Sequence, residues 1–190
     1  MRYSSSHKQE TRQRLVESSG AIAKRGGFAT TGVDGLMKAI GLTGGAFYSH
    51  FPSKNDLFTE VVRRELSQST ILAREGGLTR QTLERCLDSY LSLAHLHNPE
   101  AGCAIPALGA EIARADIQVR EEAEHWLSTL QQAWASALGD GQLAWALIAQ
   151  CVGALVVARM LASEETQREV LDASRSVLHT ALGQRAKQTR

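Results

Sequence analysis

Apolar residues recur at helical spacing along almost the whole chain. Leu15, Ser19, Ile22 and Ala23 line one face of residues 8–25, with Arg12, Arg14, Lys24 and Arg25 mostly outward. Val33, Leu36, Met37 and Ile40 form a second stripe at i, i+3, i+4 and i+7. Leu83, Leu87, Tyr90, Leu91 and Ala94 form another, and Val119, Ala123, Trp126, Leu130 and Trp134 a fourth. Between these stripes lie Gly26-Gly27, Gly41, Gly76-Gly77, the loop Asn98–Gly102 and Gly139-Asp140-Gly141. The pattern predicts about nine helices: 8–25, 33–40, 44–50, 53–74, 79–97, 103–114, 116–138, 142–161 and 164–182. Pro106 is tolerable only in the first turn of its helix. A basic tail (Arg185, Lys187, Arg190) is expected to fray. No internal repeat or low-complexity segment interrupts the pattern.

The stretch Phe28 to Leu57 is the most specific. Thr31-Gly32-Val33-Asp34 has the form of a capping box, with Thr31 as cap and Asp34 reaching back. Gly41 supplies a left-handed residue to end that helix. Thr43 is placed to cap a short third helix, and Ser53 a longer fourth. Two short helices joined through a glycine turn predict a helix-turn-helix, whose second helix enters the major groove of DNA.

The run Ala39-Ile40-Gly41-Leu42-Thr43, followed by Phe47-Tyr48-x-His50-Phe51-Pro52-Ser53-Lys54-x-x-Leu57, resembles the DNA-binding domain of TetR/AcrR-type transcriptional repressors. The resemblance covers residues 8 to 62; the rest is similar only in length and helical pattern. It implies an all-α protein: a three-helix DNA-binding domain over residues 1–52, and a ligand-binding and dimerisation domain over residues 53–190. It also implies a homodimer formed through the last two helices. Tyr48, His50 and Lys54 would contact phosphates, and Thr31 and Gly32 would abut the DNA backbone. The recognition helix would present Thr43, Gly44, Gly45 and Ala46 to the groove. These side chains are small and offer little hydrogen bonding beyond the Thr43 hydroxyl, so contacts to thymine methyls are expected. Members of the family often carry a lysine at or near Gly44, and this chain does not. Tyr48 also fits a core aromatic, and His50 a simple helix end. Phe47 and Phe51 read as core residues.

Composition adds little to this and contradicts none of it. The chain has 190 residues, three prolines, 5% aromatics and a formal net charge of +1. Residues 1–75 hold 11 Lys/Arg against 7 Asp/Glu, and residues 76–190 hold 10 against 13. A basic head on an acidic body suits DNA binding at one end. Three cysteines without metal-ligand spacing suggest a reducing, cytoplasmic setting. Leu143 to Leu161 is nearly long and apolar enough to cross a membrane, but Gln150, Arg159 and many small residues favour a helix buried in protein. No cofactor and no metal are expected; His95-x-His97 with Cys103 is too loosely spaced for zinc.

Effector-binding candidates are Tyr90, His95, Cys103, Trp126, Trp134 and Trp145, with His97 and Met160 beside them. Aromatics at helical spacing are more often core than binding site. No charge cluster accompanies them, which points to a neutral or weakly polar, partly aromatic small molecule. Cys103 follows a glycine and precedes a helix start, where the helix dipole favours a thiolate. Some proteins of the resembled family have a Gly-Cys pair here, and such cysteines sense electrophiles or oxidants; the plain alternative is an inert, buried thiol. Cys86 and Cys151 read as packing residues. A different reading makes Cys103 an enzyme nucleophile with His95 or His97 as base, but no orienting group or oxyanion site is legible. The expectation is a regulator that binds an operator in double-stranded DNA, not an enzyme.

Overall fold

The computed structural model describes residues 5–68 and 78–186. Their elements are α1 (Ser5–Gly26), α2 (Val33–Ala39), a 3-10 helix (Gly44–Ser49), α3 (Lys54–Ser67), α4 (Arg80–Tyr90), α5 (Leu93–His97), α6 (Ile105–Arg114), α7 (Ile117–Leu138), α8 (Gly141–Arg159) and α9 (Glu164–Ala186). The fold is all-α, and no strand occurs among the described residues. The chain divides into two compact units. One holds residues 5–68 and 103–126; the other holds residues 78–102 and 127–186. Helix α7 contributes to both.

The first unit is built on one continuous apolar cluster. Leu15, Val16 and Ala23 of α1 meet Leu36 and Met37 of α2, Phe47 and Phe51, and Leu57, Val61 and Val62 of α3. Leu108 and Ile112 of α6 and Val119 and Ala123 of α7 complete it. Phe28 stacks on Phe58 with ring centroids 4.5 Å apart. Gly27, at φ +91°, turns the chain out of α1. Lys24 does not face outward as its place in the helical pattern suggested. Its Nζ lies 2.7 Å from Glu65 Oε2 of α3, and the two side chains are only 7% and 9% exposed. The position lies beside the buried Ala23, at the edge of the α1 stripe, and α3 covers it.

In the second unit, the helix expected over residues 79–97 is two helices. Thr79 caps α4 in a capping box completed by Thr82. The break falls at Leu91, where Ser92 takes up the amide of His95 at 3.2 Å and starts α5. A serine oxygen that serves as a cap competes with helix continuation. Ala94, expected to face inward, is exposed. Asp140 caps α8 by accepting from the amides of Gln142 and Leu143, at 2.8 and 3.1 Å. Arg159, in the last turn of α8, donates to the carbonyls of His95 and Leu96, both at 3.3 Å. Helix α8 is long and apolar enough to cross a membrane, yet only 39% of it is buried within the chain. It packs along α9, leaving Trp145, Val156, Val157 and Met160 exposed. The fourth helix was expected to reach residue 74; residues 69–77, with Gly76-Gly77, lie outside those described, as do Lys187 and Arg190 of the tail, while Arg185 falls within α9.

Candidate nucleic-acid interface

The turn between α2 and the 3-10 helix follows directly from Gly41, whose φ is +79°. Its amide bonds the Lys38 carbonyl, and the Leu42 amide bonds the Met37 carbonyl, both at 3.0 Å. This pair of bonds is the Schellman closure of a helix end. Two corrections concern the caps. Gly32, not Thr31, occupies the N-cap of α2, and no side chain caps it. Thr31 sits one residue too early, and its methyl lies over Gly35. Asp34 does not reach back; its carboxylate lies against Gly44. Thr43 does hold the N-cap position of the next element, but its side chain makes no capping bond. That element is a six-residue 3-10 helix rather than an α-helix.

The exposed side of this element carries Thr43, Gly45 and Tyr48, with Gly44 and Ala46 half-buried. Tyr48 is 69% exposed, which removes the reading as a core aromatic. Phe47 beneath it is fully buried, and the two rings meet edge to face at 5.3 Å. His50 ends the 3-10 helix. Its Nδ1 is buried and has no hydrogen-bond partner among the described residues. Burial holds its pKa below the usual histidine range, and the charges of Lys8, Arg12 and His7 push it the same way. Those residues mark a positive rim contributed by α1. Arg12 itself lies over the Phe51 ring at 4.4 Å and pairs with Glu60 at 3.1 Å.

Lys54 has partners within the protein. Its Nζ donates to the Ala29 carbonyl at 3.1 Å and sits 4.9 Å from the centre of the Phe28 ring. Burial lowers its pKa, and Glu111 opposes that shift. Glu111, on α6, went unnoticed in the sequence. Its two oxygens accept from the amides of Phe28 (2.9 Å) and Ala29 (2.7 Å), clamping the turn that leads toward α2. A β-carbon on Gly27 would stand 2.7 Å from Glu111 Oε1. Only long-range contact information reveals such a clamp, since nothing in local spacing distinguishes Glu111 from a solvated helix residue. Glu111→Ala is expected to destabilise this turn by about 1.5–3 kcal/mol, the value of hydrogen bonds to a charged group. Amide hydrogen exchange should then accelerate at Phe28 and Ala29; unchanged rates would show that the clamp holds nothing.

The effector candidates are spread over both units. Tyr90 and His95 adjoin, rings 4.5 Å apart, with His95 Nδ1 bonded to the Tyr90 carbonyl at 2.7 Å. The His95 ring fills the space above Gly102. Burial lowers the His95 pKa most; the hydrogen bond to Tyr90 opposes this and Arg159 reinforces it. Trp134 is 1% exposed, and its Nε1 has no acceptor among the described residues. Trp126 belongs to the first unit, where its Nε1 donates to Glu122 at 2.9 Å. Arg63 grips the same carboxylate at 2.8 and 3.0 Å, and its hydrogen bond is the main cause of the lowered Glu122 pKa. Trp145 and Met160 stand on the open side of α8, 46% and 73% exposed, so neither lines an enclosed site within the chain. Cys103 is half-buried just before α6. His97 bonds Gln167 at 3.0 Å. Among the described residues no group of three or more His, Cys, Asp or Glu side chains is placed to hold a metal ion.

A glycine-closed pair of short helices on a three-helix core, with a small-residue recognition element turned outward, defines a helix-turn-helix protein. Residues 18–61 match the family model described as bacterial regulatory proteins, tetR family. The chain is 41% identical over 63 residues to the transcriptional regulator AcrR of Shigella flexneri, a match covering 33% of this chain and 28% of that protein. It is 26% identical over 137 residues to the transcriptional repressor KstR of Mycolicibacterium smegmatis, covering 70% of this chain and 65% of that one. Each match thus spans less than two thirds of the relative's length. A TetR regulator from Chloroflexus aurantiacus superposes with a TM-score of 0.69 at 26% identity, over 94% of this chain and 97% of that chain. The reduced form of Escherichia coli NemR superposes with a TM-score of 0.74 at 19% identity, over 90% and 96%. Residues 18–61 are thus similar to the DNA-binding domain of TetR-family regulators, and the whole chain shares the fold of solved TetR-family regulators.

Proposed function

We propose that this protein is a ligand-responsive transcriptional repressor that binds a palindromic operator as a homodimer. The observation that carries this reading is the exposed Tyr48, standing on a recognition element whose exposed side is otherwise small. We assign residues 1–52 to DNA binding and residues 53–190 to effector binding and dimerisation, a division by role rather than by packing. Thr31, Gly32, Thr43, Gly44, Gly45, Ala46, Tyr48, His50 and Lys54 form the proposed DNA contact set. Tyr48→Phe is expected to weaken binding to every sequence alike and to leave the salt dependence as it is, because the lost phosphate contact is an uncharged hydroxyl. A gel-shift titration against DNA flanking its own gene, repeated over salt concentrations, measures both. An unchanged affinity would remove Tyr48 from the contact set.

The proposed dimer surface is the open side of α8 and α9. Trp145, Val157, Met160 and Val177 are exposed there, and a groove of about 410 Å³ runs between the helices past Ala149 and Gly153. Small residues let a facing helix approach closely. A helix this apolar requires cover, and a second copy of the same surface supplies it. Val157→Glu is expected to yield monomers in sedimentation and to abolish tight operator binding; a persisting dimer would place the interface elsewhere.

The effector we propose is neutral or weakly polar and partly aromatic. The unsatisfied Trp134 indole N–H favours a molecule with a hydrogen-bond acceptor, and Tyr90 and His95 offer aromatic edges. Separately, in the first unit, the Cys103 thiol is one that an electrophile or oxidant would modify. An effector shifts the protein off DNA only if it binds the DNA-incompetent conformation better. In the bound form the two heads would match successive major grooves about 34–36 Å apart. The enzyme alternative is not favoured, because the matched family model and the similar proteins are DNA-binding regulators. A cytoplasmic location fits the regulator reading.

A further inference from the structure

The recognition element has almost nothing of its own with which to read bases by hydrogen bonding. Gly44, Gly45 and Ala46 have no polar side chain, Ser49 donates to the Ala46 carbonyl and Tyr48 is assigned to phosphate, which leaves the Thr43 hydroxyl. The group that occupies the side-chain space of Gly44 comes from α2. A β-carbon on Gly44 would lie 1.7 Å from Asp34 Oδ1 and 2.9 Å from its Cγ, so the carboxylate fills the place where a side chain at position 44 would begin. Asp34 is exposed and forms no ion pair or hydrogen bond among the described residues, Lys38 one turn on included.

We propose that Asp34 is a specificity-determining residue of the DNA interface, accepting a hydrogen bond from the N4 amine of a cytosine in each half-site. The proposal rests on the DNA-binding reading above and assigns that interface its preferred base. A carboxylate only accepts hydrogen bonds. Phosphate oxygens also only accept, and both carry negative charge, so Asp34 gains nothing from the DNA backbone and weakens sequence-independent binding. The major groove offers donors at cytosine N4 and adenine N6. Adenine sets its N7 acceptor beside that amine, where it repels the second carboxylate oxygen; cytosine has no such neighbour on that edge. The preferred base is therefore cytosine. The same argument explains why glycine suits position 44, since any larger side chain competes with the carboxylate for one space.

The alternative is that Asp34 merely favours the helix N-terminus, as any acidic first-turn residue does. Selection from a randomised duplex library followed by sequencing separates the two. The wild-type protein should select cytosine at one symmetry-related position in each half-site. Asp34→Asn, which adds a donor and suits the adenine N6/N7 edge, should move the preference at that position alone toward adenine. Asp34→Ala should erase the preference there by about 5- to 150-fold and tighten binding to non-specific DNA. Gly44→Ala should disturb the same position, because its β-carbon displaces the carboxylate. Identical base preferences in wild type, Asp34→Asn and Asp34→Ala would overturn the proposal while leaving DNA binding intact. A wild-type protein that selects no sequence would overturn the DNA-binding reading and this proposal with it.

Discussion

Phe47→Ala is expected to destabilise the protein by about 3–5 kcal/mol and to abolish sequence-specific DNA binding. The ring is fully buried at the centre of the 3-10 helix, against Phe51 at 6.1 Å and Tyr48 at 5.3 Å. Its carbonyl also closes the element, accepting from the amides of His50 (2.8 Å) and Phe51 (3.1 Å). A 3-10 helix of six residues and an α-helix of seven have little stability of their own. Both are held by the apolar cluster beneath them, so removing its ring unseats the surface that carries Thr43 and Tyr48. Urea unfolding followed by circular dichroism measures the stability loss, and gel shift the binding loss. Phe47→Leu, which keeps most of the apolar volume, should lose less of both. An alanine variant with unchanged operator affinity would mean that this element does not face DNA.

The second large effect is expected at the ion pair between α1 and α3. Glu65→Gln should cost about 3–5 kcal/mol, because it leaves the Lys24 ammonium in a site where the pair is only 7% and 9% exposed. Two features show that the fold is arranged around this carboxylate. Arg64 Nη1 holds its other oxygen at 3.0 Å, and a β-carbon at Gly20 would come within 2.5 Å of that oxygen. The loss comes from the charge that stays buried rather than from the value of the pair. The double variant Lys24→Met/Glu65→Gln should therefore recover most of it, since a buried pair replaced by uncharged side chains is often neutral. Urea midpoints of the single and double variants decide this. Equal destabilisation in both would show that packing, not charge, governs the site.

These two sites differ in how far the sequence reveals them. Phe47 was legible as core, because its spacing to Phe51 and the neighbouring stripes leaves it facing inward. The Lys24 pair was not, because α1 alone presents Lys24 as one of a run of outward bases, and its partner lies on another helix. The same difference runs through the interface. Gly41 announced the turn, since a left-handed residue there favours glycine. Whether Thr31 or Gly32 capped α2 depended on a one-residue shift in where helical dihedrals begin, which local pattern does not resolve. The break at Ser92 has the same origin: the apolar stripe continues across it, and a single hydroxyl decides the matter.

By itself, the sequence determined that the chain is all-helical, where most helices begin and end, and that Phe28 to Leu57 forms a helix-turn-helix. Periodicity, glycine and cap chemistry are local, and they act before distant contacts form. Only the tertiary structure decided which partners the charged and polar groups around the turn meet. It put Asp34 in the space above Gly44, bound the Glu111 carboxylate to the amides of Phe28 and Ala29, and drew Lys54 onto the Ala29 carbonyl. It also left the aromatic candidates in separate places, with Trp126 in one core, Trp134 in another and Trp145 in the open. A polar side chain acquires its role from the partner it meets, and that partner lies elsewhere in the chain, so no local pattern carries the information.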